Sequence, residues 1–186
     1  MIQSQRSNDN LNHQQLLLIM VLSVVLGIVW IIYGWFYSLI APILQPLNLT
    51  GLLNGIYISS GGCFAIIFRK KYSALLGEII PSCVEMIASP WGIYNLLYGL
   101  FQGLVAEAVF LLLGYKKAKL ITMLLANICS NIISFFLSYV IYNYAKFSFY
   151  SNLIRFILEI ASTLLFSLLL FKVINLLKKL GYINSY

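Results

Sequence analysis

Long apolar runs separated by short polar or basic breaks dominate this chain. After a polar start, MIQSQRSNDNLNHQ, the first run extends from about Leu16 to Tyr37. Five more follow, from about Leu52 to Phe68, Tyr72 to Ile87, Ile93 to Leu113, Leu120 to Tyr142 and Leu153 to Leu177. A membrane crossing takes roughly 20 apolar residues, so each run predicts one transmembrane helix and the chain crosses about six times. The first run is too long for a signal-peptide core and lacks a small-residue cleavage site, so it is read as a retained helix. Backbone groups in lipid must be satisfied within the segment, which makes an all-α bundle the expected architecture and removes strand-based readings. The expected organisation is a polar tail over residues 1–14, a six-helix membrane domain over 15–178 and a short tail over 179–186.

Composition sharpens this picture. Of the 186 residues, 61% are hydrophobic and 9% charged, which leaves no room for a large soluble catalytic domain. The net charge of +7 comes from short clusters rather than a basic surface. Arg6, then Arg69, Lys70 and Lys71, then Lys116, Lys117 and Lys119, then Lys172, Lys178 and Lys179 fall at alternate ends of the runs. The opposite connections, near residues 38–51, 88–92 and 143–152, hold only Lys146. By the positive-inside rule both termini are cytoplasmic, and the partner these charges imply is a lipid bilayer, not nucleic acid. Cys63, Cys83 and Cys129 are far apart in apolar stretches and are read as packing residues, and the one histidine, His13, sits in the polar tail. Zinc, haem and Ser-His or Cys-His chemistry lack their usual parts, so no catalytic residue, metal site or cofactor is expected.

Polar residues inside the runs carry the functional signal. Four of the five acidic residues, Glu78, Glu85, Glu107 and Glu159, lie within predicted spans, where Arg155 is the one clear cation. A charge at mid-membrane costs about 2.5–3.5 kcal/mol on insertion scales, so these groups are expected to face the bundle interior, a partner or a water-filled cavity. Glu78 and Glu85, seven residues apart, share one face of the third helix on either side of Pro81. The fourth helix then offers Trp91, Tyr94, Asn95, Tyr98, Gln102 and Glu107. Ring faces, an amide and a carboxylate in one stretch suit a flat heteroaromatic cation. Glu85 is assigned as its counter-charge, with Trp91, Tyr94, Asn95, Tyr98 and Gln102 as pocket residues and Glu78 and Glu107 after them. Asn127, Ser130, Asn131, Ser134 and Ser138 form a polar stripe on the fifth helix, read as helix–helix hydrogen bonding. Ser23, Gly27 and Gly34 form a small face on the first helix, which is assigned to docking another protein.

These residues resemble a known family, the substrate-binding S components of energy-coupling-factor vitamin transporters, in particular the YkoE-like group associated with thiamine or its hydroxymethylpyrimidine precursor. The resemblance is continuous from about Gly61 to Leu177. Its most specific stretch is GEIIPSCVEMIASPWGIYNLLYGLFQGLVAEAVFLLLGY, residues 77–115, through the spacing of Glu78, Glu85, Gln102, Gly103, Ala106, Glu107 and Phe110. NLIRFILEIAS, with Arg155, is similar as well. The resemblance implies a multi-pass protein of a prokaryotic plasma membrane that binds a vitamin from outside and works with a transmembrane T component and ATP-binding subunits. The chain has no Walker motif of its own, which agrees with ATP hydrolysis on a partner. The alanine-rich face of the family's first helix is replaced here by SVVLG and Gly34. Two other readings remain at this stage: a stand-alone proton-coupled carrier relaying protons through Glu78 or Glu107, and an intramembrane hydrolase.

Overall fold

The structure, a computed structural model, describes residues 10–181 as helices joined by short turns, with no strand among them. Residues 1–9, with Arg6, and 182–186, which belong to the expected tails, lie outside the described residues. Helix α1 runs His13–Leu44. A 3-10 turn at Thr50–Leu53 leads into α2 (Gly55–Ile58) and α3 (Ser60–Phe68), which together form the second segment. The remaining helices are α4 (Ser73–Ala88), α5 (Ile93–Leu113), α6 (Leu120–Ile141) and α7 (Phe149–Lys179). Every apolar run of the sequence thus becomes one helical segment.

Among the described residues, five segments are long and apolar enough to cross a membrane, Thr50–Phe68 counting as one. Helix α4 falls short: its 16 residues span about 24 Å at 1.5 Å per residue. The Arg69–Lys71 turn precedes it, Ser89 and Pro90 stop it, and Glu78 and Glu85 lower its apolar content. It nevertheless lies between α1 and α5 along its length. The ends of the long helices are set by local chemistry. Asn12 opens α1 with a capping box, its Oδ1 accepting from Gln15 N–H at 2.8 Å while Gln15 Oε1 accepts from Asn12 N–H at 3.1 Å. Ser148 opens α7 by accepting from Ser151 N–H at 3.2 Å.

Around the bundle, α1 packs on α4, α4 on α5, α5 on α6 and α6 on α7, while the Thr50–Phe68 segment fills the middle. Its central place shows in its burial, 61% of an apolar 18-residue stretch within it against 22–39% of the matching stretches in the four other candidate spans. This segment is broken at Ser59, between α2 and α3. The break is held by side chains: Ser59 Oγ donates to Gly55 O at 2.7 Å, and Ser162 Oγ of α7 accepts from Gly55 N–H at 3.1 Å and donates to Leu52 O at 2.6 Å. Gly55 is required here because a Cβ would run into the Ser162 backbone. Broken backbone at membrane depth persists where protein encloses it or a cavity needs it, and both conditions hold here.

The stripe on α6 bonds to its neighbours as its residue types require. Asn131 Nδ2 donates to Thr163 Oγ1 and Asn127 Nδ2 to Ser167 Oγ, both at 2.8 Å, while Ser130 Oγ donates to Gln102 O at 2.9 Å. Apolar packing is concentrated toward the end that carries the basic turns, around Ala65, Ile66, Ala74, Phe110, Met123 and Ile174. The opposite end is left open for a cavity.

Candidate functional site

Two of the four interior glutamates close helix starts rather than face a cavity. A helix N-terminus leaves N–H groups without intrahelical partners and carries partial positive charge, so a carboxylate is stabilised there. Glu107 of α5 accepts from Tyr72 N–H at 2.7 Å and Leu75 N–H at 3.3 Å, which are first-turn groups of α4, and from Tyr115 Oη at 2.6 Å. Glu78 of α4 accepts from Gly61 N–H at 2.6 Å, in the first turn of α3 after the break at Ser59. Neither side chain lines the cavity, and both are turned toward these caps instead. The structure therefore does not bring these two to the cavity with the other expected residues.

Glu85 and Glu159 are placed differently. Both are 2% exposed and both line a cavity of about 410 Å³ at the end of the bundle opposite the basic turns. The volume lies in the usual range for small-molecule sites, about 300–1,000 Å³. Glu85 stands on α4 among Tyr37, Tyr57 and Trp91. Trp91 meets Tyr37 edge-on at 5.3 Å between ring centroids and Tyr57 at 6.4 Å and 89°. Tyr57 is wedged further against Trp30 and Tyr33, each at 5.3 Å. Glu85 Oε1 and Tyr57 Oη are buried without a hydrogen bond of good geometry inside the protein. The two groups interact with each other without a bond of good geometry, which leaves hydrogen-bonding capacity on both for a guest.

The far wall belongs to α7 and the connection before it. The Arg155 guanidinium lies 4.3 Å from the centroid of the Tyr144 ring and 5.1 Å from that of Phe147. Burial pushes the Tyr144 phenol above its ordinary pKa, against the opposing pull of Arg155. One turn along, Glu159 Oε1 accepts from Asn54 Nδ2 at 2.9 Å. Between the two walls, α5 and α6 supply a hydrogen-bonded side. Gln102 Nε2 donates to Ser134 Oγ at 2.7 Å, Tyr98 Oη and Ser138 Oγ share a bond of 2.7 Å, and Asn95 Nδ2 donates to Ser89 Oγ.

Of the pocket residues expected from the sequence, Glu85, Trp91, Asn95, Tyr98 and Gln102 are brought together on this cavity. Tyr94 is not: it is 44% exposed on the outer face of α5, because a residue one position before Asn95 is turned about 100° away from it. The sequence reading left out Tyr37, Thr50, Asn54, Tyr57, Tyr144 and Phe147, which line the same space. A usable signal existed for some of these. Asn54 to Gly62 interrupts an apolar run with amide, hydroxyl and glycine residues, the pattern of a discontinuous helix beside a membrane binding site.

The small face of α1 turns inward. Ser23, Gly27 and Gly34 are buried, and they face α4 and the cavity wall rather than the outside. A Cβ on Gly27 would sit 2.6 Å from Val84 Cβ and 2.8 Å from Pro81 O. One on Gly34 would sit 2.9 Å from Trp91 and 3.5 Å from Glu85 Oε1. Small spacing shows that something approaches closely, and here it is the neighbouring helix. The outward face of α1 carries large apolar residues such as Leu17, Val21, Val25, Ile28 and Ile32.

Comparison with known proteins agrees with this architecture. Residues 14–133 match the family model described as ABC-type cobalt transport system, permease component. A protein of Bacillus subtilis (strain 168) with the name "Putative HMP/thiamine permease protein YkoE" is 29% identical over 163 residues, covering 87% of this chain and 81% of that protein. A solved structure titled "Crystal structure of an S-component of ECF transporter" superposes with a TM-score of 0.85 at 29% identity, over 92% of this chain and 88% of that one. A family model over most of the chain and a shared fold at that identity lead to one conclusion: the chain belongs to this permease-component family and is an S component of the energy-coupling-factor type.

Proposed function

We propose that this S component captures thiamine, or a closely related pyrimidine such as hydroxymethylpyrimidine, on the outer side of a prokaryotic plasma membrane. It then delivers the solute through a transmembrane T component driven by ATP-binding partners. The observation that carries the reading is the composition of one cavity: Glu85 within an aromatic enclosure of Tyr37, Tyr57 and Trp91, with Glu159 and Arg155 on the other wall. Two carboxyl groups against one guanidinium give an ionised site a formal charge of −1, which complements the single positive charge of a thiazolium. Flat rings suit aromatic walls, and ring nitrogens and an amino group suit Asn95, Asn54 and Gln102. The YkoE name points the same way for that relative.

Orientation rests on charge. The cavity opens at the end away from Arg69, Lys70, Lys71, Lys116 and Lys119, and the positive-inside rule puts those basic turns in the cytoplasm. The family description mentions cobalt, but the donor set favours an organic solute. Among the described residues no three His, Cys, Asp or Glu side chains gather into a group able to hold a metal ion. The test is a titration of the detergent-purified chain, followed by tryptophan fluorescence, with thiamine, hydroxymethylpyrimidine, riboflavin, biotin and cobalt(II). Thiamine or hydroxymethylpyrimidine is expected to bind with a Kd below about 1 μM and the others not to saturate. Saturation by cobalt(II) or riboflavin alone overturns the reading.

A further inference from the structure

The cavity has two charged poles on helices that do not pack closely together, Glu85 on α4 and Arg155 on α7. Arg155 is 4% exposed and its Nε has no hydrogen-bond partner, while its guanidinium lies against the rings of Tyr144 and Phe147, interacts with the Tyr144 hydroxyl and attracts Glu159 without an ion pair at contact distance. Arginine keeps its charge in any protein setting, and a buried N–H left without an acceptor is costly. A ligand atom that accepts a hydrogen bond at this pole removes that cost. We infer that Arg155 and Glu159 form a selectivity pole that takes the hydroxyl end of the cationic ligand and rejects its phosphate ester.

The choice between hydroxyl and phosphate follows from charge on the same turn of α7. Residues four apart on a helix are neighbours, about 5–6 Å between Cβ atoms, so Glu159 lies beside whatever Arg155 binds. Asn54 holds Glu159 Oε1 in place from the α2 side. A hydroxyl can accept from the guanidinium and donate to the acid, so both groups are satisfied at once. A phosphate monoester carries about −1.5 to −2 charges at neutral pH and is mostly an acceptor. It would meet one guanidinium and two acidic groups, Glu159 beside it and Glu85 across the cavity. Specificity then comes from a repulsive element as much as from an attractive one. This inference rests on the thiamine reading above and adds to it the direction in which the ligand lies and the ester that is excluded.

The experiment compares thiamine with thiamine monophosphate on the purified full chain by isothermal titration. The unmodified protein is expected to bind the monophosphate at least about 30-fold more weakly than thiamine. Glu159→Gln keeps an acceptor for Asn54 and removes the acidic group, and it should narrow that ratio by at least about tenfold. Arg155→Lys keeps a charge but loses the planar donor, and it should weaken thiamine while leaving the monophosphate the poorer ligand. A purely structural role for Glu159 would lower both affinities together and leave the ratio unchanged, which overturns the inference. Equal or tighter binding of the monophosphate by the unmodified protein also overturns it while leaving the thiamine reading standing. If neither compound binds, both fall.

Discussion

Replacing Glu85 by glutamine separates a counter-ion from a mere hydrogen-bond acceptor. The carboxyl group is 2% exposed and interacts inside the protein with the Tyr57 hydroxyl, without a bond of good geometry, so the protein loses little of its own bonding when the charge is removed. The loss should therefore appear in the complex. Truncating one side of a desolvated charge pair costs 2–5 kcal/mol or more. The lower end applies here, because Glu85→Gln also removes a buried carboxylate that the empty site must carry. About 2 kcal/mol corresponds to a roughly 30-fold rise in Kd for thiamine. Hydroxymethylpyrimidine carries no fixed charge and should lose less than about fivefold, since the amide still offers an acceptor. The assay is parallel titration of both ligands, with thermal unfolding of the ligand-free variant as a check on folding. Equal losses for the charged and the neutral ligand would refute the counter-ion argument. An unchanged thiamine affinity would remove Glu85 from the site.

Four further outcomes follow from the packing. Gly27→Ala adds one carbon against Val84 and the Pro81 carbonyl, which cannot rotate aside, so it should destabilise the protein by about 1–3 kcal/mol and lower the thermal midpoint; Val25→Ala, on the outward face of α1, should leave the midpoint within a degree or two of the original if lipid is its neighbour. If Gly27→Ala instead melts normally but loses only its T component on co-purification, the docking assignment returns. Glu107→Gln sets an amide against the N–H groups of Tyr72 and Leu75 and should cost about 1–3 kcal/mol in thermal unfolding while thiamine affinity stays within about threefold. Asn131→Leu breaks one bond to Thr163 in the α6 stripe and should cost only about 0.6–2 kcal/mol by the same measurement.

The division of labour among the glutamates explains how one bundle can hold four interior acids. A broken second segment and a short fourth helix create extra helix starts inside the protein. Glu78 and Glu107 sit at those starts, where N–H groups and helix dipoles stabilise a carboxyl group. With two acids held there, Glu85 and Glu159 are left for the cavity. The capped end carries the basic turns and most of the apolar core, while the opposite end carries the site. Binding sites are commonly drawn from the less stable part of a fold.

What the sequence by itself determined was the number and order of the helical segments, and for some of them the limits. Lipid forces each apolar run to satisfy its own backbone, so the run from Ile93 to Leu113 and helix α5 have the same ends. The sequence also pointed to the region of the site, because Glu85, Trp91, Asn95, Tyr98 and Gln102 lie within one helix end and the start of the next and need little long-range arrangement to meet. Tertiary structure alone decided the rest. Periodicity assigns a residue to a face but does not name the neighbour across it. Glu107 reaches the start of α4, 35 residues earlier in the chain, and nothing in the local pattern distinguishes it from Glu85. The same limit applies to Gly27, whose spacing with Ser23 announces a close approach and whose partner turned out to be α4. Asn54 and Arg155 belong to one wall although about a hundred residues separate them, because only the folded chain lays α2 against α7.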